Sequence, residues 1–117
     1  MPGFSLINHN GKDILYVDYT GMKKEEVLKT MDEATEFALN ENRPLLRLSN
    51  MTGVFAVKEV VEKAQESGRV TNHLTIKRAA VGITGAKKIL LNAYNRVSGN
   101  STRIFDTVDD AIDWLAQ

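Results

Sequence analysis

Residues 80–99 read AVGITGAKKILLNAYNRVSG. Small apolar residues come first (Ala80, Val81 and Ile83, with Ala79 just before), then Thr84-Gly85, then apolar side chains spaced three and four apart. That succession predicts a buried strand over Ile76 to Thr84, a sharp turn, and a helix over Ala86 to Val97 closed by Ser98-Gly99. A strand that runs straight into a helix is one half of a βαβ crossover, and the rest of the chain repeats it.

Working outward from this unit, PheSerLeuIleAsn at 4–8 is a short strand, and Asn10-Gly11 is a strong hairpin signal. Asp13 to Tyr19 reads as the second strand. From Lys23 to about Asn40, Val27, Met31, Ala34 and Ala38 fall on one helical face, and Asn42-Arg43-Pro44 stops that helix. Leu45 to about Asn50 is the third strand, with Met51-Thr52-Gly53 as its exit turn. Val57, Val60, Val61 and Ala64 give a second helix with Gly68 as a candidate end cap, and the pattern leaves open whether helix resumes across Arg69 to Leu74. Arg103 to Phe105 is a short last strand. Asp106-Thr107 then caps a helix whose inner face is Val108, Ala111, Ile112 and Leu115.

This order predicts a single α/β domain over 1–117. Its sheet is mostly parallel, of about five strands with one antiparallel edge strand, and carries about four helices. In such sheets ligands gather beyond the carboxyl ends of the strands. The rim so defined holds Tyr19 and Thr20, Asn50 and Thr52, Thr84 and Gly85, and Asp106 and Thr107.

The turn at 82–88 is not a Walker loop, which needs a glycine directly before the lysine and a hydroxyl after it; here Ala86 and Lys88 stand in those places. It lacks the three-glycine dinucleotide fingerprint as well. What it offers is a helix start with free N–H groups, the Thr84 hydroxyl, and Lys87 and Lys88 beside a positive helix end. Asn50, Thr52, Thr84, Gly85, Lys87 and Lys88 are therefore candidate ligands for a small anion. On a helical wheel Ala86, Ile89, Leu90, Ala93 and Val97 take the core side. Leu91 and Tyr94 fall off it, as candidates for partner or lipophilic contact.

Composition narrows the function classes. The 117 residues carry no net charge, 43% are hydrophobic, and there is no cysteine, which rules out disulfides and thiolate chemistry. Charge is uneven: seven basic and no acidic residues lie between Ser67 and Phe105, and four aspartates with no base follow. Such asymmetry suits an acidic ligand or partner. Zero total charge and the lack of interleaved aromatics argue against nucleic acid. His9 and His73 have no ligand-spaced companions, no GxSxG surrounds a serine, and the four C-terminal aspartates are placed as helix caps. No cofactor, metal site, catalytic residue or transmembrane segment is expected, and the expected location is cytoplasmic.

The element order, together with Ala80-Val81-Gly82-Ile83-Thr84-Gly85, Lys87-Lys88, Leu91-Asn92, Asn95-Arg96-Val97-Ser98-Gly99, Phe105-Asp106-Thr107 and Ala111…Trp114-Leu115, resembles the SpoIIAA-like (STAS-fold) family of small stand-alone bacterial proteins. Specific matches lie between 77 and 115. The resemblance implies a signalling or binding role, with lipophilic ligands suggested by the related CRAL-TRIO fold. STAS antagonists are switched at a serine opening the second helix. Residues 52–58, TGVFAVK, hold none, and only Ser49 and Thr52 lie nearby as hydroxyls for phosphorylation. The reading is a non-enzymatic regulatory or binding module, acting through a protein partner or a small anionic or lipophilic ligand, with a homodimer as its assembly. The alternative is a small enzyme acting on an anionic substrate near Thr84 and Lys87.

Overall fold

The computed structural model describes residues 3–117 except 56, 86, 90, 93, 94 and 96–101. Strand β1 (Gly3–His9) turns back through Asn10-Gly11 into β2 (Lys12–Asp18). Both turn residues have positive φ, 53° and 80°, as a tight hairpin compatible with strand twist requires. Then come α1 (Lys24–Glu41), β3 (Leu45–Asn50), α2 (Lys58–Thr71), a 3-10 turn (Asn72–Leu74), β4 (Thr75–Val81), β5 (Thr102–Phe105) and a C-terminal helix (Val108–Leu115). Between β4 and β5 the backbone is helical at 87–89, 91–92 and 95.

The strands lie in the order β1-β2-β3-β4-β5; β1 is antiparallel to β2 and every later pair is parallel. This is the mixed, mostly parallel sheet expected from the sequence. The chain steps from β2 to β5 always in one direction, so right-handed crossovers put α1, α2 and the helical residues 87–89 and 91–92 on one face. The C-terminal helix covers the other. Alternation along each strand then feeds two cores. Leu15, Val17 and Leu45 pack with Val27, Met31, Ala34, Ala38 and Val60 on the first face. Ile14, Leu46, Leu48, Ala79 and Val81 pack with Ala111 and Leu115 on the second.

Local chemistry sets the ends of the elements. Asn42, left-handed at φ 49°, ends α1 by donating its N–H to the Ala38 carbonyl. Thr107 Oγ1 accepts the Asp110 N–H at 3.1 Å and starts the C-terminal helix, in the capping role expected of Asp106-Thr107. Trp114 packs on Phe105 of the edge strand, ring centroids 5.5 Å apart.

Two boundaries differ from expectation. Gly68 does not end α2; it lies buried within a helix that continues to Thr71. A glycine inside a helix costs about 1 kcal/mol relative to alanine. Here the inward stripe of buried Val60, Thr71 and Leu74 with half-buried Ala64 and Ser67 outweighs it, Thr71 being fully enclosed. The fourth strand ends at Val81 rather than Thr84, because Gly82 at φ +77° breaks the extended backbone. Ile83 is buried even so, beyond the strand end.

Candidate functional site

At the carboxyl rim three loops are stitched together by backbone bonds: Tyr19 N–H to Asn50 O (2.9 Å), Gly21 N–H to Thr52 O (3.1 Å) and Met51 N–H to Val81 O (2.9 Å). Asn50 donates through Nδ2 to the Tyr16 hydroxyl (3.1 Å), and its Oδ1 accepts from Thr52 N–H (3.2 Å) and Oγ1 (2.7 Å). Asn50 and Thr52 are thus brought together, and they serve each other. Gly82 lies so near that a Cβ there would stand 2.4 Å from the Thr52 nitrogen, so both its φ and this close approach demand glycine.

The Thr84-Gly85 turn is exposed. Its two carbonyls accept the N–H groups of Lys87 (3.1 Å) and Lys88 (3.0 Å). Lys88 points to solvent. Lys87 does not: its Nζ donates to the carbonyls of Met51 and Gly82, both at 3.1 Å, strapping this helix start to the rim.

That strap turns the segment relative to the wheel drawn from hydrophobicity. Lys87 and Leu91 face inward, and Asn95 Oδ1 accepts the Thr102 N–H at 3.1 Å, so the inner stripe is 87, 91, 95. Ile89, expected in the core, is 72% exposed. Leu91, expected off the core side, is half-buried. The lysine stem covers apolar surface while its head reaches carbonyl oxygens, an arrangement that an apolar count misses. Tyr94 lies outside the described residues.

Inside this stripe lies a cavity of about 150 Å³ between the sheet, α1, α2, Lys87 and Leu91. Its walls among the described residues are mainly apolar: Met31, Val54, Val60, Val61, Ala64, Ala80, Ile83 and Leu91. Among the described residues the polar groups on it are Tyr19, Ser49, Ser67, Thr102 and the cations Arg47, Arg78 and Lys87, and no carboxylate lines it. Burial pushes the Tyr19 hydroxyl well above the usual tyrosine range, with nearby Arg47 pulling weakly the other way. Of the candidates from the sequence, Lys87 and Leu91 line this cavity; Asn50, Thr52, Thr84, Gly85 and Lys88 do not.

The residues that sequence reading passed over are Arg47 and Arg78. Arg47 stands among Leu45, Leu46 and Leu48, and Arg78 directly before Ala79, Ala80 and Val81; a charge beside such an apolar run is itself a signal. Among the described residues no group of three or more His, Asp or Glu side chains could hold a metal ion. No helix described is long and apolar enough to cross a membrane.

Two solved structures share this architecture. One is an uncharacterized protein from the DUF3478 family with a SpoIIAA-like fold, from Shewanella loihica: TM-score 0.72 and 16% identity, over 97% of this chain and 92% of that one. The other is an anti-sigma-factor antagonist (STAS) domain protein from Planctomyces limnophilus: TM-score 0.65 and 14% identity, over 98% of this chain and 99% of that one. The chain therefore has the SpoIIAA-like, STAS-type α/β fold. Neither a family model nor a curated protein matches the sequence.

Proposed function

We propose that this protein is a non-enzymatic binding module that takes a small, mostly apolar ligand with an anionic group into the cavity beneath α2. The observation that carries this reading is the cavity itself. It is a half-open, mostly apolar concavity, the form that small-molecule sites take. About 150 Å³ of space is enough to admit a benzene-sized molecule. The occupant is then a molecule of roughly six to ten non-hydrogen atoms. The cations on an otherwise apolar wall favour an acidic one.

Of the rim set, Lys87 belongs to this proposed site. Asn50 and Thr52 position the loop whose carbonyl holds Lys87, and Thr84, Gly85 and Lys88 flank its outer side. The likeness to an anti-sigma-factor antagonist (STAS) domain protein supports a regulatory role, in which occupancy of the cavity alters what a partner meets. A homodimer is the proposed assembly, to be checked by sedimentation.

Thermal shift with a panel of short carboxylates and alcohols tests the reading. A ligand that binds only the folded state raises the melting temperature with concentration. The expected result is such a rise for the wild type and none for Ala64→Phe, which fills the cavity. A panel without effect on the wild type contradicts the proposal.

A further inference from the structure

We infer that the Tyr19 hydroxyl is the donor that fixes the ligand's polar end, and that this end is an oxo oxygen, of a carboxylate or a carbonyl; this rests on the cavity binding just proposed. Tyr19 stands one residue beyond β2. Its N–H donates to the Asn50 carbonyl at 2.9 Å and its own carbonyl accepts the Met22 N–H at 3.0 Å, so its backbone is held on both sides. Strand alternation carries through it, and Leu15, Val17 and Tyr19 join one core with Val27, Met31 and Val60. The residue is 4% exposed, and it lines the cavity.

The polar groups on the cavity wall differ in what they already hold. Ser67 Oγ is paired with Thr35 Oγ1, and Lys87 Nζ is shared between the Met51 and Gly82 carbonyls. The Tyr19 hydroxyl is different: among the described residues no hydrogen bond satisfies it. A buried tyrosine normally finds a partner for its hydroxyl, because a phenol taken out of water without one loses its hydration for nothing. Burial also keeps this phenol protonated, so it presents a proton and not a charge. What it lacks is an acceptor. A carboxylate or carbonyl oxygen inside the cavity supplies one, whereas a purely hydrocarbon ligand leaves the hydroxyl as it was. The apolar remainder of the ligand then lies along Val60, Val61, Ala64 and Leu91.

The test uses three probes of nearly one size and shape, benzoate, acetophenone and isopropylbenzene, titrated by ligand-observed NMR into wild type, Tyr19→Phe and Ala64→Phe. Tyr19→Phe keeps the ring and removes only the hydroxyl, so without a probe it should melt no lower than wild type at neutral pH. A lower melting temperature would show that the hydroxyl already has a partner and would overturn the assignment. Tyr19→Phe should weaken the oxo probes by about fivefold or more and leave isopropylbenzene nearly unchanged. Benzoate binding wild type more tightly than acetophenone assigns the oxygen to a carboxylate, and the reverse order to a neutral carbonyl. If Ala64→Phe blocks the oxo probes but they bind Tyr19→Phe as they bind wild type, the donor is overturned and the binding module stands. Binding of isopropylbenzene alone overturns the donor as well. If no probe binds wild type, the module falls and the donor with it.

Discussion

On the face covered by the C-terminal helix, Leu46 and Leu48 of β3 and Ala79 and Val81 of β4 close against Ala111 and Leu115. On the opposite face the same two strands present Leu45, Arg47 and Ser49, and Arg78 and Ala80. The first set makes apolar contact, with a polar-rimmed groove lined by Lys12, Asp13, Leu46, Lys77 and Leu115 at one end. The other carries two guanidinium groups beside a cavity, although α1 and α2 cover it. Charged side chains on a covered, mostly apolar face cost desolvation, so the α1–α2 face is where stability has been given up. That contrast is the ground on which the binding site is proposed on the α1–α2 face.

An acidic side chain placed on each face gives the sharpest break. Val81→Asp puts an unpaired charge into the closed core, with an expected loss of about 3–5 kcal/mol in denaturant unfolding. Ser49→Asp puts the same charge beside Arg47 and Arg78, with an expected loss below about 1 kcal/mol, because those cations favour the ionised form. Equal losses at the two positions would erase the distinction between the faces.

The rim offers a second, smaller contrast. Gly82→Ala must strain a positive φ and push against the Thr52 backbone, whereas a Cβ at Gly85, φ +55°, meets open space. Losses of at least about 2 kcal/mol and of about 1 kcal/mol are expected respectively, read from unfolding midpoints. A Gly82→Ala protein as stable as Gly85→Ala would mean the loops are not stitched as described.

The smallest effect is on pH. Burial raises the Tyr19 pKa in the folded state, so its contribution to stability is complete below the ordinary tyrosine value near 10 and is lost as pH rises above it. Tyr19→Phe should flatten the alkaline limb of the stability–pH curve relative to wild type. Matching limbs would place Tyr19 in contact with solvent.

Much of the fold was legible because local signals agreed: Asn10-Gly11 for the hairpin, Pro44 and Asn42 for the end of α1, and apolar runs for β2 to β4. The boundaries that differed were decided by tertiary contact, as at Gly68, where the enclosed Thr71 and Leu74 keep the chain helical. The site was only half legible. Lys87 stood out as a lysine at a helix start, but its inward strap depends on the Met51 and Gly82 carbonyls, which no wheel contains. Arg78 faces Arg47 through a bulge, and alternation read from sequence assumes that there is none.

The most direct test of the central claim is an amide NMR titration of the wild-type protein with hexanoate. Binding between α2 and the sheet predicts saturable shifts at Ser49, Ala64, Ser67, Ala80 and Leu91, all of which line the cavity. Shifts confined to Thr52, Thr84, Gly85 and Lys88 at the outer rim, or none up to saturation of the probe, would contradict it.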